Sequence, residues 1–206
     1  MSEAQTGSAD TAAQDFFAVQ TLLSRPSLAF LYTDLLAHSP TTVGAARERT
    51  GMKRSTAYKY ANELAELGAA RETDERVDGA ALWQASPLVG TWNGAGDVEV
   101  SPAMIAVYGA SDRDDDLALF RDRHGTHALV PAVEATLSYL RGERTRRGVA
   151  DALGVPATEG IAVSQSIERV VAAVAGVDPT LDGEAFAVET HERTVADCPY
   201  VPVGNE

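Results

Sequence analysis

Cysteine is nearly absent: Cys198 is the only one in 206 residues, so no intramolecular disulfide can staple the fold and a reducing cytoplasm is the expected compartment. Lysine is almost as rare, present only at Lys53 and Lys59. No apolar run exceeds the eight residues from Val170 to Val177. A membrane helix needs about 20, so none is expected. The opening MSEAQTGSADTAAQD lacks the cationic start and apolar stretch of a secretory signal, and residues 1–14 read as a disordered tail. Catalytic fingerprints are missing too. There is no phosphate loop, dinucleotide fingerprint or nucleophile elbow, and no legible nucleophile with an oriented base, so neither an enzyme nor a cofactor is expected.

What is present fits a globular protein. A hydrophobic content of 45% over this length can fill one large core or two small ones. The net charge of −13 opposes binding to a polyanion, but the cations are concentrated. From Thr41 to Arg71 six cations face three acids, a local +3 that leaves −16 for the remainder. Abundant Asp, Ala, Val and Arg with almost no Lys resembles the proteome style of haloarchaea, whose cytoplasm is rich in potassium chloride. At molar salt the Debye length is about 3 Å, so long-range repulsion fades and short-range contacts must supply the affinity.

The segment TTVGAARERTGMKRSTAYKYANELAELGAA, Thr42 to Ala70 (written with its preceding Thr41), reads as two helices joined by a tight turn. The first spans about Val43 to Thr50 with Val43 and Ala46 inward, and Gly51 offers the positive φ that the turn needs. The second begins near Arg54. Ala57, Ala61, Leu64 and Leu67 form its buried stripe and Gly68 closes it. The outward face carries Lys53, Arg54, Ser55, Thr56, Tyr58, Lys59 and Asn62, groups suited to phosphates and base edges. Phe16 to Leu23 predicts a short helix behind Asp15, and RPSLAFLYTDLLAHSP another with Leu28, Leu31, Tyr32, Leu35 and Leu36 on one face. Ala69 to Glu72 and Ala80 to Ala85 pair as strands around Val77-Asp78-Gly79, a β-wing.

Thr42 to Ala85 resembles the winged helix-turn-helix of prokaryotic transcriptional regulators in the broad ArsR, MarR and TrmB-like group, carried mostly by TGMKRSTAYKYANELAELGAARE. The resemblance implies a sequence-specific regulator of double-stranded DNA, with the second helix in the major groove and Arg47 and Arg49 gripping phosphates from the first. Arg71 and Arg76 are the wing's candidates for backbone contact, beside the acids Asp74, Glu75 and Asp78 at its tip. The expected domains are residues 15–90, the winged unit, and 97–190, a second helical domain, with Ser86 to Gly96 as connector and 191–206 as tail. The whole is expected to be mostly α.

In the second domain Asp97 to Ser101 reads as a short strand and Pro102 opens a helix to about Tyr108. Asp114, Asp115 and Asp116 start an acid-led helix rather than a metal site. Leu129, Val133, Leu137 and Leu140 mark another helix, with Pro131 in its first turn. Thr145 to Leu153, Gly154 to Pro156 and a helix holding Val163, Ile167, Val170 and Val174 have the outline of a second helix-turn-helix. Its second helix opens with Ala157, Thr158 and Glu159 and no cation before Arg169, which favours packing or dimerisation over DNA contact. Ser101 to Val174 resembles an uncharacterised domain found with winged helices in haloarchaeal proteins. His124 and His127, with His191 and Cys198, match no zinc frame, and no metal is expected. One reading helix covers few base pairs, so a homodimer built through the C-terminal helices is expected. A protein-interaction adaptor and a ligand-sensing regulator of unknown effector are the alternatives.

Overall fold

The computed structural model describes residues 3–93, 97–181 and 199–200. In chain order these form α1 (Glu3–Ser24), α2 (Pro26–Ala37), β1 (Thr41–Thr42), α3 (Val43–Thr50), α4 (Arg54–Glu66), β2 (Ala70–Val77) and β3 (Ala80–Ala85). Then follow β4 (Gly90–Asn93), β5 (Asp97–Val100), α5 (Pro102–Ala110), α6 (Asp115–His124), α7 (Leu129–Leu140), α8 (Arg146–Leu153) and α9 (Ala157–Val174). Helix dominates, as expected, with a small antiparallel sheet of order β1-β3-β2 and a separate β4–β5 hairpin. Among the described residues no helix is long and apolar enough to cross a membrane.

α2 is the axis of the molecule. Pro26 suits its first turn, where a missing N–H costs nothing, and every residue from Leu28 to Leu36 is buried. Leu28, Leu31 and Leu35 join Val43, Ala46, Ala57, Ala61, Leu64 and Trp83 in one core. Phe30, on the other side, joins Ala103, Val107, Leu117, Val133, Ile167 and Val170 in a second. α5 is buried almost all round and lies against α2 so closely that a Cβ at Gly109 would sit 2.7 Å from the Phe30 backbone nitrogen. The two expected domains therefore meet through a shared helix pair.

Three expectations are corrected. Residues 3–14, read as tail, are the first half of α1. Alanine, glutamine and acids near a helix N-terminus, without proline, favour helix even where no apolar stripe announces it. Ser86 to Gly96, read as connector, includes β4 and is pinned at its start. There the buried Tyr32 hydroxyl donates to Ser86 O at 2.8 Å and accepts from Leu88 N at 3.0 Å, while burial pushes its pKa up. In the tail, Tyr200 is buried, its ring stacked on Phe30 at 4.4 Å and its hydroxyl donating to Ala106 O at 2.7 Å. Apart from Pro199 and Tyr200 the expected tail lies outside the described residues, as do His191 and Cys198.

The sheet is longer than expected. β2 runs to Val77 and pairs with β3 from Ala70↔Ala85 to Val77↔Ala80, with an irregularity between Glu72 and Arg76. Asp78 and Gly79, at φ 52° and 79°, make the tight hairpin turn. In the C-terminal half Asp114 caps α6, its carboxylate accepting from Asp116 N and Leu117 N. Its other oxygen holds Arg169 of α9 at 3.0 Å, so the acid run opens a helix and ties it to a neighbour.

Candidate nucleic-acid interface

The α3–α4 pair is set by a few local contacts. Thr42 caps α3, its hydroxyl accepting from Ala45 N at 3.1 Å. Gly51 ends α3 at φ 66°, left-handed backbone that a Cβ would strain, and Lys53 returns the chain to extended geometry before α4. Behind the turn, Arg113 donates to Thr50 O at 2.9 Å and lies 4.2 Å over the Phe30 ring. A residue of the α5–α6 loop thus clasps the end of α3.

α4 buries Ala57, Ala61 and Leu64, and this fixes its rotation. The opposite face exposes Lys53, Arg54, Ser55, Tyr58, Lys59 and Asn62, with Thr56 half-buried at its edge. Positions 54, 58 and 62 form one row and 55 and 59 the next. Arg54 lies 5.8 Å from the Tyr58 ring centroid, a cation–π pair that orients both. Lys53 and Lys59 have no ion-pair partner among the described residues. Glu63 is taken by Arg25, so its charge does not offset the cations nearer the N-terminus. The helix dipole adds positive potential at that same end.

The flanking arginines divide. Arg47 is half-exposed and pairs only with its neighbour Glu48 at 2.9 Å, a surface contact it can exchange for a phosphate. Arg49 is corrected as a phosphate grip. Its guanidinium fork holds both oxygens of the buried Asp34, at 2.9 and 2.8 Å, and reaches Thr41 Oγ1 at 3.2 Å. A buried carboxylate without a partner is costly, so this arginine is committed to the core. Burial pushes the Asp34 carboxyl up while Arg49 and His38 pull it down. On the sheet, exposed Arg71 donates to its cross-strand partner Gln84 at 2.8 Å, and Arg76 sits 3.6 Å from Glu72 and donates to Gly79 O at 3.4 Å. Both lie on β2, and Arg76 is drawn to an acid.

Sequence reasoning missed Asp34 and Arg113. An aspartate inside the apolar run LAFLYTDLLA was the available sign that a buried cation must meet it. Nothing local to Arg113 announced its contact with Thr50. His124 is engaged in structure: its Nε2 lies 2.9 Å from Glu159 Oε1, with Arg123 at 3.4 Å from the same oxygen. Hydrogen bonds from His124 and Arg123 hold the Glu159 carboxyl below its usual range. The α8–α9 pair repeats the α3–α4 outline, and α6 meets α9 at Glu159, on the edge of the face that corresponds to the exposed row of α4, where Thr158 and Gln165 stay exposed.

Residues 111–176, which span α6 to α9, match the model of a family of unknown function (DUF7437). No curated protein and no solved structure matches the chain.

Proposed function

We propose that this chain is a sequence-specific DNA-binding transcriptional regulator, and that α3, α4 and the β2–β3 hairpin act as a winged helix-turn-helix. The observation that carries this reading is the exposed, unneutralised row of Lys53, Arg54 and Lys59 on one short helix of an otherwise acidic chain. α4 spans about 20 Å, enough to cross the major groove, and presents donors at its N-terminal half. Ser55, Tyr58 and Asn62 extend the contact, and Arg47 approaches phosphate from α3. One such helix reads few base pairs, so the regulator acts as a homodimer on a two-fold site.

The test is fluorescence anisotropy with DNA that the full chain selects from a random library. Arg54→Ala combined with Lys59→Ala should weaken binding by about 30-fold or more at matched salt, since a specific arginine contact alone is worth roughly 1–3 kcal/mol. Both side chains are exposed, so circular dichroism should not change. Unchanged affinity overturns the proposal.

A further inference from the structure

Outside the α4 face the surface has one conspicuous apolar region, where α1 faces the β4–β5 hairpin across a slot of about 650 Å³. Phe16, Val19 and Leu23 line it from the helix, Val89, Trp92 and Val98 from the hairpin side. The pairings Trp92↔Val98 and Gly90↔Val100 place Trp92, Val98 and Val100 on one face of the hairpin, and Val89 leads into it. Four of the seven large apolar side chains exposed among the described residues gather here: Phe17 at 60%, Trp92 at 58%, Phe16 at 42% and Val89 at 41%. Phe16 stacks on Trp92 at 5.5 Å and meets Phe17 edge-on at 5.5 Å, so the rings form one continuous patch.

We infer that this patch is a self-association surface, covered in solution by the same face of a second copy of the chain. Charge selects the occupant. Among the described residues Asp15 is the only charged one lining the slot, on a chain of net charge −13. Two copies repel each other wherever their acidic surfaces meet, and here each offers the other a neutral, apolar face. A small molecule in the slot leaves the patch unfinished, because Phe17 does not line the slot and stays exposed beside it. The hairpin points the same way: among the described residues β4 and β5 pair only with each other, and a two-stranded ribbon is marginal alone. An isologous two-fold contact needs no other component, since every copy carries both halves.

The surface differs from the C-terminal helices expected from sequence. It also leaves the reading helix free. Gln14 of α1 touches the position of Gly68, beyond the C-terminal end of α4, while Lys53 to Lys59 lie at the other end. The inference does not depend on DNA binding, and its test contains no DNA.

Sedimentation equilibrium of the full chain in molar potassium chloride should give twice 21.7 kDa. Phe17→Glu and Trp92→Glu, both at exposed positions, should each raise the dissociation constant by about 100-fold or more, as loss of a central aromatic anchor does. Leu119→Glu, also at an exposed position but on α6 and outside the patch, should leave the dimer intact. Circular dichroism checks that each variant folds. A wild-type monomer at all concentrations overturns the inference, including one that binds an apolar dye in the slot. A dimer that survives both patch substitutions overturns it too and assigns association to another face.

Discussion

The α3–α4 and α8–α9 pairs share a backbone design at a constant spacing of 103 residues. Thr42 and Thr145 cap eight-residue helices through matching 3.1 Å bonds, to Ala45 N and Gly148 N. Gly51 and Gly154 end them at φ 66°, and Lys53 and Pro156, both at ψ 143°, lead into the second helices. The outer faces then diverge. Where α4 shows Arg54, Ser55, Tyr58, Lys59 and Asn62, α9 has Ala157, Thr158, Ile161, Ala162 and Gln165. α6 borders that face through His124 and Arg123 to Glu159, while Thr158 and Gln165 remain exposed. The same turn therefore presents a cationic face in one place and an uncharged one, bordered by α6, in the other. Backbone shape alone assigns no function; the side chains and what covers them do.

The largest effect that can break this comparison is at position 49. Arg49 neutralises Asp34 in the core, whereas its counterpart Ala152 is exposed. Arg49→Ala should cost about 3–5 kcal/mol, because it leaves a buried charge with only half-exposed His38 nearby. Urea unfolding would show it as a shifted midpoint, while Arg47→Ala should cost less than about 0.5 kcal/mol. Equal shifts would mean that the two arginines share one surface role.

Next is the seam between the helices of each pair. Ala150 of α8 lies so close to Gly160 that a Cβ there would be 2.4 Å from the Ala150 Cβ, and the corresponding residue of α4 is Ala57. Gly160→Ala should destabilise by about 1–3 kcal/mol through overpacking, against its gain in helix propensity. A neutral or stabilising result in thermal unfolding would show that α8 and α9 can move apart, and that the two seams are interchangeable.

These cases also show how far the sequence could be read. Periodicity, glycine placement and caps located α2 to α5 and the turns at Gly51 and Gly154, because these signals are local and have one solution. The cationic row of α4 was legible for the same reason: the Ala57, Ala61 and Leu64 stripe fixes which residues point outward. What escaped depends on pairing across the chain. Arg47 and Arg49 look alike in sequence, and only the distant Asp34 separates them. Gly90 to Asn93 looks like a linker until it pairs with Asp97 to Val100, since three residues between glycines carry too little pattern to announce a strand. The cover that α6 places over Glu159 of α9 is equally nonlocal.

The smallest expected effect isolates that cover. Glu159 corresponds in position to Thr56 of α4, and Glu159 meets α6 through His124 and Arg123. His124 and Arg123 hold its carboxyl below the ordinary value of 4.5. A folded-state value lowered in this way means that the unfolded chain binds the proton more readily. The contribution is therefore complete above pH 4.5 and disappears as pH falls through the lowered value. At neutral pH Glu159→Gln should cost about 0.5–1 kcal/mol, since His124 is a third exposed and solvent screens the pair. Measured by urea unfolding, the gap between wild type and variant should close on acidification. A gap that persists unchanged would mean that Glu159 holds α6 to α9 by packing, and that charge is not what ties the two helices.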